Sequence, residues 1–247
     1  MENTLYIALS RQSVLRREMG VIATNIANMN TNGYQAERMM FVDHLERSRG
    51  NEHLLPDKLS FVRDIKQYRS LDEGPLETTG NPLDVAIAGR GYFSIQTDDG
   101  PRYTRDGRFT LDASGTLVNG AGLPVLSVAG GPLQVGPEDT SLMIANDGTL
   151  SSEAGVIGRI GVYEFDNEQA LEKQAGNLFD AGEQPANEAT APRVQQGALE
   201  GSNVVPVVEL TRMIEVQRAY ESTKSFVEEE HKRQKSVYSL MTAARSA

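Results

Sequence analysis

Few residues of this chain are of the types that carry hydrolytic or metal chemistry. The 247 residues include three histidines and no cysteine, which excludes thiolate nucleophiles and cysteine-ligated zinc. His44 and His53 lie in a polar stretch, and His231 lies in a charged one. No HExxH, GxSxG or phosphate-loop pattern accompanies them. The sequence therefore predicts no catalytic residue, no metal site and no cofactor, and we expect the histidines to be exposed or structural.

Aspartate–glycine pairs and one glycine-rich segment are the remaining candidates for ligand chemistry. Asp99-Gly100, Asp106-Gly107 and Asp147-Gly148 lack the alternating ligands of an EF-hand loop, and such pairs are typical of hairpin turns. Gly89 and Gly91 form half of a phosphate-binding fingerprint, but predicted strands flank them and no helix follows. These patterns indicate turns in a β structure rather than calcium or nucleotide sites.

The net charge of −10 lies entirely within residues 81–200, which hold 7 Lys and Arg against 17 Asp and Glu. An acidic segment of this kind repels nucleic acids and anionic lipids, so we expect neither as a partner. No apolar run approaches the roughly 20 residues that span a bilayer. The apolar stretch of residues 5–9 is shorter than the core of a cleavable signal peptide. We therefore expect neither membrane insertion nor a cleaved signal.

Short β segments separated by glycine turns fill the acidic middle of the chain. Segments with strand character are residues 84–88, 91–97, 102–105, 108–111, 115–118, 124–128, 141–145 and 156–165. Residues 168–176 favour a short helix. No strand–helix–strand alternation is present, which disfavours a doubly wound nucleotide-binding fold. The sequence predicts an all-β body here.

The first thirty residues carry an apolar repeat with alternating spacings of three and four, which is typical of a coiled-coil seam. The positions on this seam are Leu5, Ala8, Gln12, Leu15, Met19, Ile22, Ile26 and Met29. We expect the helix to end within residues 28–33, because asparagine tolerates left-handed backbone conformations and glycine adopts them freely. In particular, the sequence predicts a positive φ at Gly33.

Helical periodicity returns after Gly201, with Pro206 suited to a first helical turn and Asn203 available as a cap. One face of this second helix carries Leu210, Met213, Ile214, Gln217, Tyr220, Lys224 and Val227. A helix of 35–40 residues would be about 55 Å long, which exceeds what one small β domain can cover.

These elements predict an α+β fold in which long N- and C-terminal helices form a coiled-coil layer around an all-β central body. The predicted domains are a terminal-helix domain (residues 1–34 and 203–247), a connector of unassigned structure (35–80) and a β-rich outer domain (81–202). Periodicity alone does not distinguish helices that pair within one subunit from helices that pair between subunits. The helix length and the separate acidic body favour assembly, with the ends ordering on binding.

Three blocks of the sequence resemble the family of flagellar rod and hook proteins. The first is LYIALSRQSVLRREMGVIATNIANMNTNGYQ at residues 5–35, which ends in the motif NIANMNTNGY at residues 25–34. The third is QGALEGSNVVPVVELTRMIEVQRAYE at residues 196–221. The second consists of NPLDVAIAGRGYF, YTRDGRF and GTLV within residues 81–118. The residues that match the family motifs are Asn25, Ile26, Ala27, Asn28, Asn30, Thr31, Gly33, Tyr34, Asn81, Pro82, Leu83, Asp84, Gly91, Tyr103, Thr104, Arg105, Gly107, Phe109, Gly201 and Asn203. Val205 departs from the pattern, since relatives often have asparagine before the proline.

The resemblance implies a non-enzymatic subunit of the flagellar basal-body rod. It is strongest to the proximal rod subunit, and the distal rod subunit is the nearest alternative. It implies a place in the periplasmic shaft that transmits torque for motility. The implied partners are other rod proteins, copies of the chain itself and the flagellar type III export apparatus, with no small-molecule substrate. Two other classes stay open: a secreted β-domain binding protein or enzyme oligomerised by its helices, and an assembly cap or chaperone that leaves afterwards.

Overall fold

The computed structural model describes residues 2–47, 58–139 and 141–245. Two α-helices, α1 (Glu2–Ala27) and α2 (Pro206–Arg245), lie at its ends. The strands between them are β1 (Glu37–Arg47), β2 (Lys58–Arg69), β3 (Leu76–Thr78), β4 (Val85–Ile87), β5 (Tyr92–Thr97), β6 (Gly100–Thr104), β7 (Phe109–Leu111), β8 (Leu117–Asn119), β9 (Met143–Ile144), β10 (Thr149–Ser152), β11 (Gly155–Arg159), β12 (Val162–Glu164), β13 (Glu172–Gln174), β14 (Leu178–Asp180), β15 (Asn187–Glu188), β16 (Val194–Gln196) and β17 (Ala198–Glu200). An α+β fold with helical ends and a sheet-rich middle is confirmed.

The chain divides into two compact units. Unit 1 contains residues 1–27, 37–68 and 205–247, and unit 2 contains residues 28–36 and 69–204. Unit 1 therefore holds both long helices with β1 and most of β2, whereas unit 2 holds the remaining strands.

In unit 1, α1 and α2 pack against each other in opposite directions. Asn25 near the end of α1 contacts Glu209 near the start of α2 (Nδ2–Oε2, 3.3 Å), and Glu18 contacts Arg212 (Oε1–Nη2, 2.8 Å). The two helices have 26 and 40 residues, so they are about 39 Å and 60 Å long. Pro206 occupies the first position of α2, where its fixed φ suits a helix start.

The residues predicted as a connector, 35–80, contain regular structure. β1 and β2 have 11 and 12 residues and form a two-stranded sheet, and β3 follows them. Aromatic and β-branched residues such as Phe41, Val42 and Val62 favour strands, although charged residues interrupt them and hide the pattern. Residues 48–57, between β1 and β2, lie outside the described residues.

Unit 2 is organised around a six-stranded sheet with the order β13-β14-β6-β5-β12-β15. Alternate residues of β5 point to opposite faces of the sheet and enter two different clusters. Phe93 and Ile95 join a large apolar core, in which the ring of Phe93 meets that of Phe109 edge-on at 5.2 Å. Tyr92 joins an aromatic cluster that also contains Tyr103, Phe165, Leu171 and Phe179. Both faces of β5 are thus covered within the unit.

Two of the predicted aspartate–glycine hairpins are present and one is not. Asp99-Gly100 connects β5 to β6, and Asp147-Gly148 lies in the turn between β9 and β10. The prediction of a hairpin at Asp106-Gly107 is wrong, because β7 pairs with β8 rather than with β6. Gly107 instead accepts a hydrogen bond from the Val85 amide at 3.0 Å, and a Cβ there would approach the Val85 carbonyl oxygen to 1.7 Å. The Asp106-Gly107 segment thus packs against β4.

The short helix predicted over residues 168–176 is also wrong. The segment consists of a 3₁₀ turn at Glu168–Ala170, strand β13 and the start of a second 3₁₀ turn at Ala175–Asn177. Gly176 has φ 74° inside that second turn, which breaks any continuous helix.

Candidate assembly surface

The α1–α2 pair buries one row of side chains on each helix. On α2, Glu209, Val216 and Thr223 are buried at heptad spacing. On α1, the row Val14, Glu18, Val21 and Asn25 is buried, with Ala8 and Ile22 beside it. The α1 row is shifted by one residue from most of the predicted seam, so most predicted seam residues flank the pair interface.

The predicted seam residues fall into three groups by exposure. Ala8 and Ile22 are buried; Leu5, Gln12, Leu15, Met19, Ile26, Met213, Tyr220 and Val227 are half-buried; and Met29, Leu210, Ile214, Gln217 and Lys224 are exposed. Leu210 and Ile214 are each 52% exposed, and the neighbouring Val207 is 73% exposed. Apolar side chains therefore face outward on α2, opposite the row that packs on α1.

Asn25 of the first motif connects three elements of unit 1. Its Oδ1 accepts a hydrogen bond from the Glu37 amide (2.9 Å), and its Nδ2 donates to the Glu37 carbonyl (2.8 Å) and to Glu209 (3.3 Å). The residue is 1% exposed, so these bonds satisfy a polar group that has left water. Asn25 thereby fixes β1 and α2 against the end of α1.

The turn after α1 belongs to unit 2 and contains Gly33. Its φ is 62°, which confirms the predicted positive value. The Gly33 amide donates to the Glu200 carbonyl at 2.8 Å. A Cβ at this position would lie 2.4 Å from the carbonyl carbon of Arg105. Glycine is required here by backbone conformation and by space.

Arg105 and Glu200 form a buried ion pair that joins the second and third motif blocks. Arg105 Nε lies 2.8 Å from Glu200 Oε2, and each side chain is 4% exposed. The Arg105 guanidinium also donates to the carbonyls of Gly89 (2.7 Å) and Gly91 (2.8 Å), and Glu200 Oε1 accepts from the Gly74 amide (3.1 Å). All three resembling blocks meet at this pair, since Glu200 also receives the Gly33 amide through its carbonyl.

A second buried network lies around Tyr92. Its hydroxyl donates to Glu168 Oε2 at 3.0 Å, and Arg69 donates to Gln35 Oε1 (3.1 Å) and to the Glu168 carbonyl. The Arg69 guanidinium lies 4.3 Å from the centre of the Phe179 ring. Burial raises the pKa of Tyr92 to about 12, and the nearby Glu168 carboxylate adds to that rise.

Asn203, predicted as a helix cap, is engaged within unit 2 instead. Its Oδ1 accepts from the Ala36 amide at 2.7 Å, and its Nδ2 donates to the carbonyls of Ser70 (3.0 Å) and Asp72 (2.8 Å). It thus holds three chain segments together through backbone groups, a role that helix-cap statistics do not suggest.

The remaining motif residues serve turns and cores. Asn81 donates to Asp84 at 3.0 Å, and Tyr34 lies in a small apolar cluster with Ala36 and Val204. Thr31 donates to Asn28 Oδ1 at 3.1 Å. Asn30, Asn81 and Pro82 are exposed, Leu83 and Gly201 are half-buried, and Gly91, Tyr103, Thr104, Gly107 and Phe109 are buried.

Sequence reasoning missed Glu200, Arg69, Glu168 and Gln35 as structural polar residues. Glu200 lies inside the quoted third block, so its place in a motif was the available signal. Arg69 and Glu168 are about 100 residues apart in sequence, and no local pattern connects them.

The histidines are the remaining candidates for ligand chemistry. His231 is exposed on α2, His44 lies on β1, and His53 falls outside the described residues. Among residues 2–47, 58–139 and 141–245, no group of three His, Asp or Glu side chains is arranged to hold a metal ion. No helix in the described part of the chain is long and apolar enough to cross a bilayer.

Three family descriptions match segments of the chain. Residues 5–35 match "Flagella basal body rod protein", residues 86–152 match "Flagellar hook protein FlgE/F/G D1 domain" and residues 195–236 match "Flagellar basal body rod FlgEFG protein C-terminal". The matched segments contain most of α1 with its turn, the central strands of unit 2, and the Glu200 region with most of α2.

Relatives with known names match over almost the whole chain. The flagellar basal-body rod protein FlgF of Caulobacter vibrioides is 40% identical, over 92% of this chain and 93% of its own. FlgF of Mesorhizobium japonicum is 37% identical over 92% of each chain. The flagellar basal-body rod protein FlgG of Bacillus subtilis is 32% identical over 92% of this chain and 94% of its own. The chain therefore belongs to the FlgE/F/G family of flagellar rod and hook proteins and is FlgF-like.

Proposed function

We propose that this chain is a structural subunit of the proximal rod of the flagellar basal body, with no catalytic role. The observation that carries the proposal is the outward-facing apolar surface of α2 in a member of the rod family. Val207, Leu210 and Ile214 are each more than half exposed. A neighbouring helix that covers them would contribute about 1 kcal/mol for each side chain.

Assembly through the terminal helices supplies the mechanism. Contacts worth a few kcal/mol each become strong only when several form at once, so a subunit would add to a template rather than associate freely. A heterologous contact that does not close into a ring generates a helical shaft. We propose that α1 and α2 of successive subunits form a coiled-coil layer. The partners are other rod proteins and copies of the chain.

Export and location form the second part of the proposal. The chain would pass unfolded through the flagellar type III apparatus, without a cleaved signal, and fold in the periplasmic rod. The absence of cysteine from its 247 residues supports this, because no disulfide can form when the chain enters an oxidising compartment.

Basal bodies isolated from a strain that carries a tagged chain test the assignment. We expect deletion of the gene to abolish swimming, and the tagged chain to remain in washed basal bodies at the proximal end of the rod. Label at the distal end would favour the distal rod alternative. Recovery of the chain only during assembly would indicate a cap or chaperone. Full motility after deletion would contradict the proposal and favour a secreted binding protein or enzyme.

A further inference from the structure

Two asparagine–glycine pairs occur in the sequence, Asn32-Gly33 and Asn119-Gly120. This dipeptide is especially prone to spontaneous deamidation, because glycine has no side chain to shield its amide nitrogen from the preceding side-chain carbonyl. The nitrogen attacks Cγ of the asparagine, closes a succinimide ring and expels ammonia. In a folded chain the reaction depends on what holds that amide and that side chain, and the two pairs differ in both respects.

Asn119-Gly120 lies where strand β8 ends and a turn begins. Asn119 is half-buried, whereas Gly120 and Ala121 are exposed. The Gly122 amide closes the turn by donating to the Asn119 carbonyl at 2.9 Å. The Gly120 amide donates no hydrogen bond to any group in the described part of the chain. Beyond the adjacent residues, nothing lies within 4 Å of the place where a Cβ of Gly120 would be. The nucleophile of the reaction is therefore accessible and not engaged.

Two backbone amides hold the side-chain oxygen of Asn119. Its Oδ1 accepts from the Ala121 amide at 3.0 Å and from the Leu123 amide at 2.9 Å. When the Gly120 nitrogen attacks Cγ, negative charge develops on this oxygen, and N–H groups already within hydrogen-bond distance stabilise such charge. The turn therefore supplies both the unengaged nucleophile and the donors for the oxyanion.

Asn32-Gly33 has the same composition and the opposite surroundings. Gly33 is buried, and its amide donates to the Glu200 carbonyl at 2.8 Å. A Cβ at Gly33 would lie 2.4 Å from the carbonyl carbon of Arg105, so close packing leaves this segment little room to rotate. Attack on Asn32 requires the turn after α1 to open first, which costs free energy. The fold thus withholds the nucleophile at this pair.

We infer that Asn119 is a site of spontaneous modification in the folded protein, whereas Asn32 is protected from the same reaction. A bond forms between the Gly120 nitrogen and Cγ of Asn119, and the amide proton passes to hydroxide. The Cγ–Nδ2 bond breaks with release of ammonia. Water then adds to either carbonyl of the succinimide and gives aspartate or isoaspartate, so neither an oxidant nor an enzyme is required.

The products change unit 2 in two ways. Either product adds a carboxylate to a unit that is already acidic. Isoaspartate also adds a methylene group to the backbone at the position that pairs with Phe109, a fully buried residue of β7. This inference goes beyond the proposed function and does not depend on it.

Incubation of the full-length chain at pH 8, followed by peptide mass spectrometry, tests the assignment. We expect the deamidated fraction at Asn119 to exceed that at Asn32 at least ten-fold. The rate at Asn119 should fall about ten-fold at pH 7, because the reaction requires hydroxide. Enzymatic methylation of isoaspartate identifies the second product. Equal fractions at the two asparagines, or no product at Asn119, would overturn the proposal.

Gly120→Ala is the matched variant. The added methyl group has room, and Gly120 has no positive φ, so the variant should melt with the unmodified protein. The methyl group shields the amide nitrogen, and the rate at Asn119 should therefore fall at least ten-fold. An unchanged rate in this variant would show that the Gly120 amide is not the nucleophile, and the proposed reaction would be wrong.

Denaturation in urea separates the effect of the turn from that of the dipeptide. In urea both pairs lose their surroundings and should react at rates within about three-fold of each other. Refolding should slow Asn32 at least ten-fold and leave Asn119 within about three-fold of its rate in urea. If refolding slows Asn119 as much as Asn32, the Ala121 and Leu123 amides restrain the side chain rather than assist its reaction, and the inference fails.

Discussion

The two units differ in how completely the chain itself covers their apolar surface. In unit 2, the large side chains of Tyr92, Phe93 and Phe109 are fully buried, and the Arg105–Glu200 ion pair is sealed from solvent. In unit 1, Leu210 and Ile214 are half exposed, and the comparable Glu18–Arg212 pair has side chains that are 10% and 31% exposed. Unit 2 thus has a closed aromatic core although Met143 and Val156 are exposed, whereas unit 1 exposes a row of apolar side chains on α2, which we propose another chain covers.

This difference indicates that unit 2 contributes mainly to the stability of the subunit and that α2 also serves association. The helix α2 is apolar on opposite faces, so both faces need a packing partner. The helix α1 covers one of them. The central strand β5 of unit 2 has no such requirement, because both of its faces pack within the unit. Stability measurements should therefore separate residues that hold the subunit together from residues that serve association.

The largest effect is expected at the buried ion pair. Glu200→Ala leaves the Arg105 charge uncompensated in an apolar site and should lower the free energy of unfolding by about 3–5 kcal/mol. The same change in unit 1, Glu18→Ala, breaks a partly solvated pair and should cost about 1 kcal/mol. Urea unfolding followed by near-ultraviolet tyrosine signal and by helical signal at 222 nm measures both. Equal costs for the two variants would show that burial does not distinguish the units.

A comparison of two isoleucines sharpens the contrast within unit 1. Ile22 is 2% exposed, so Ile22→Ala should destabilise the helix pair by about 3 kcal/mol. Ile214 is 52% exposed, and Ile214→Ala should change stability by less than about 0.5 kcal/mol. In cells, we expect Ile214→Ala to reduce the amount of chain in basal bodies although the protein folds normally. Unchanged basal-body content together with normal swimming would mean that this face of α2 serves no assembly contact.

The sequence predicts the helices and the β body well because their signals are local. The alternating spacings of three and four, the Asn-rich helix end and Pro206 all act within a few residues. The heptad pattern does not reveal which row of α1 would pack against α2, since rows one residue apart are both rich in apolar side chains. Glu18 and Asn25, polar residues in the packed row, lie outside what an apolar pattern can identify.

The polar contacts of unit 2 join residues that are far apart in the sequence, so no local pattern identifies them. Glu200 meets Arg105 across 95 residues, and Arg69 meets Glu168 across 99. Asp106-Gly107 has the composition of a hairpin, but close approach to Val85 decides its conformation. Only the resemblance to a family suggested that the three blocks belong together, and it did not say through which atoms.

A smaller effect is expected at the turn after α1. Gly33→Ala combines a positive φ with a Cβ that would meet the Arg105 backbone, so it should destabilise unit 2 by about 2–3 kcal/mol. Gly80→Ala is the matched control, because Gly80 has φ 74° and no atom within 4 Å of the added methyl group. It should cost about 1 kcal/mol from backbone strain alone. Thermal unfolding of the two variants measures the difference, and equal costs would mean that the Arg105 segment moves aside easily.

The smallest effect concerns a carboxylate beside this turn, Asp106. Burial raises its pKa, although the backbone amide and charge of Arg108 oppose the rise. A raised pKa in the folded state means that the carboxyl group favours folding at acid pH and loses that contribution as pH rises through its pKa. Asp106→Asn keeps an acceptor for the Arg108 amide, so it should stabilise the protein at pH 7 by about 0.5 kcal/mol. The gain should vanish toward pH 3.

Asp112→Asn is a control of opposite sign, because hydrogen bonds from Ser114 and Thr116 lower the pKa of Asp112. That variant should melt below the unmodified protein at pH 7, with the difference again vanishing in acid. Melting curves from pH 3 to 8 test both signs, and a stabilisation by Asp106→Asn that persists at pH 3 would show that its charge is not the cause.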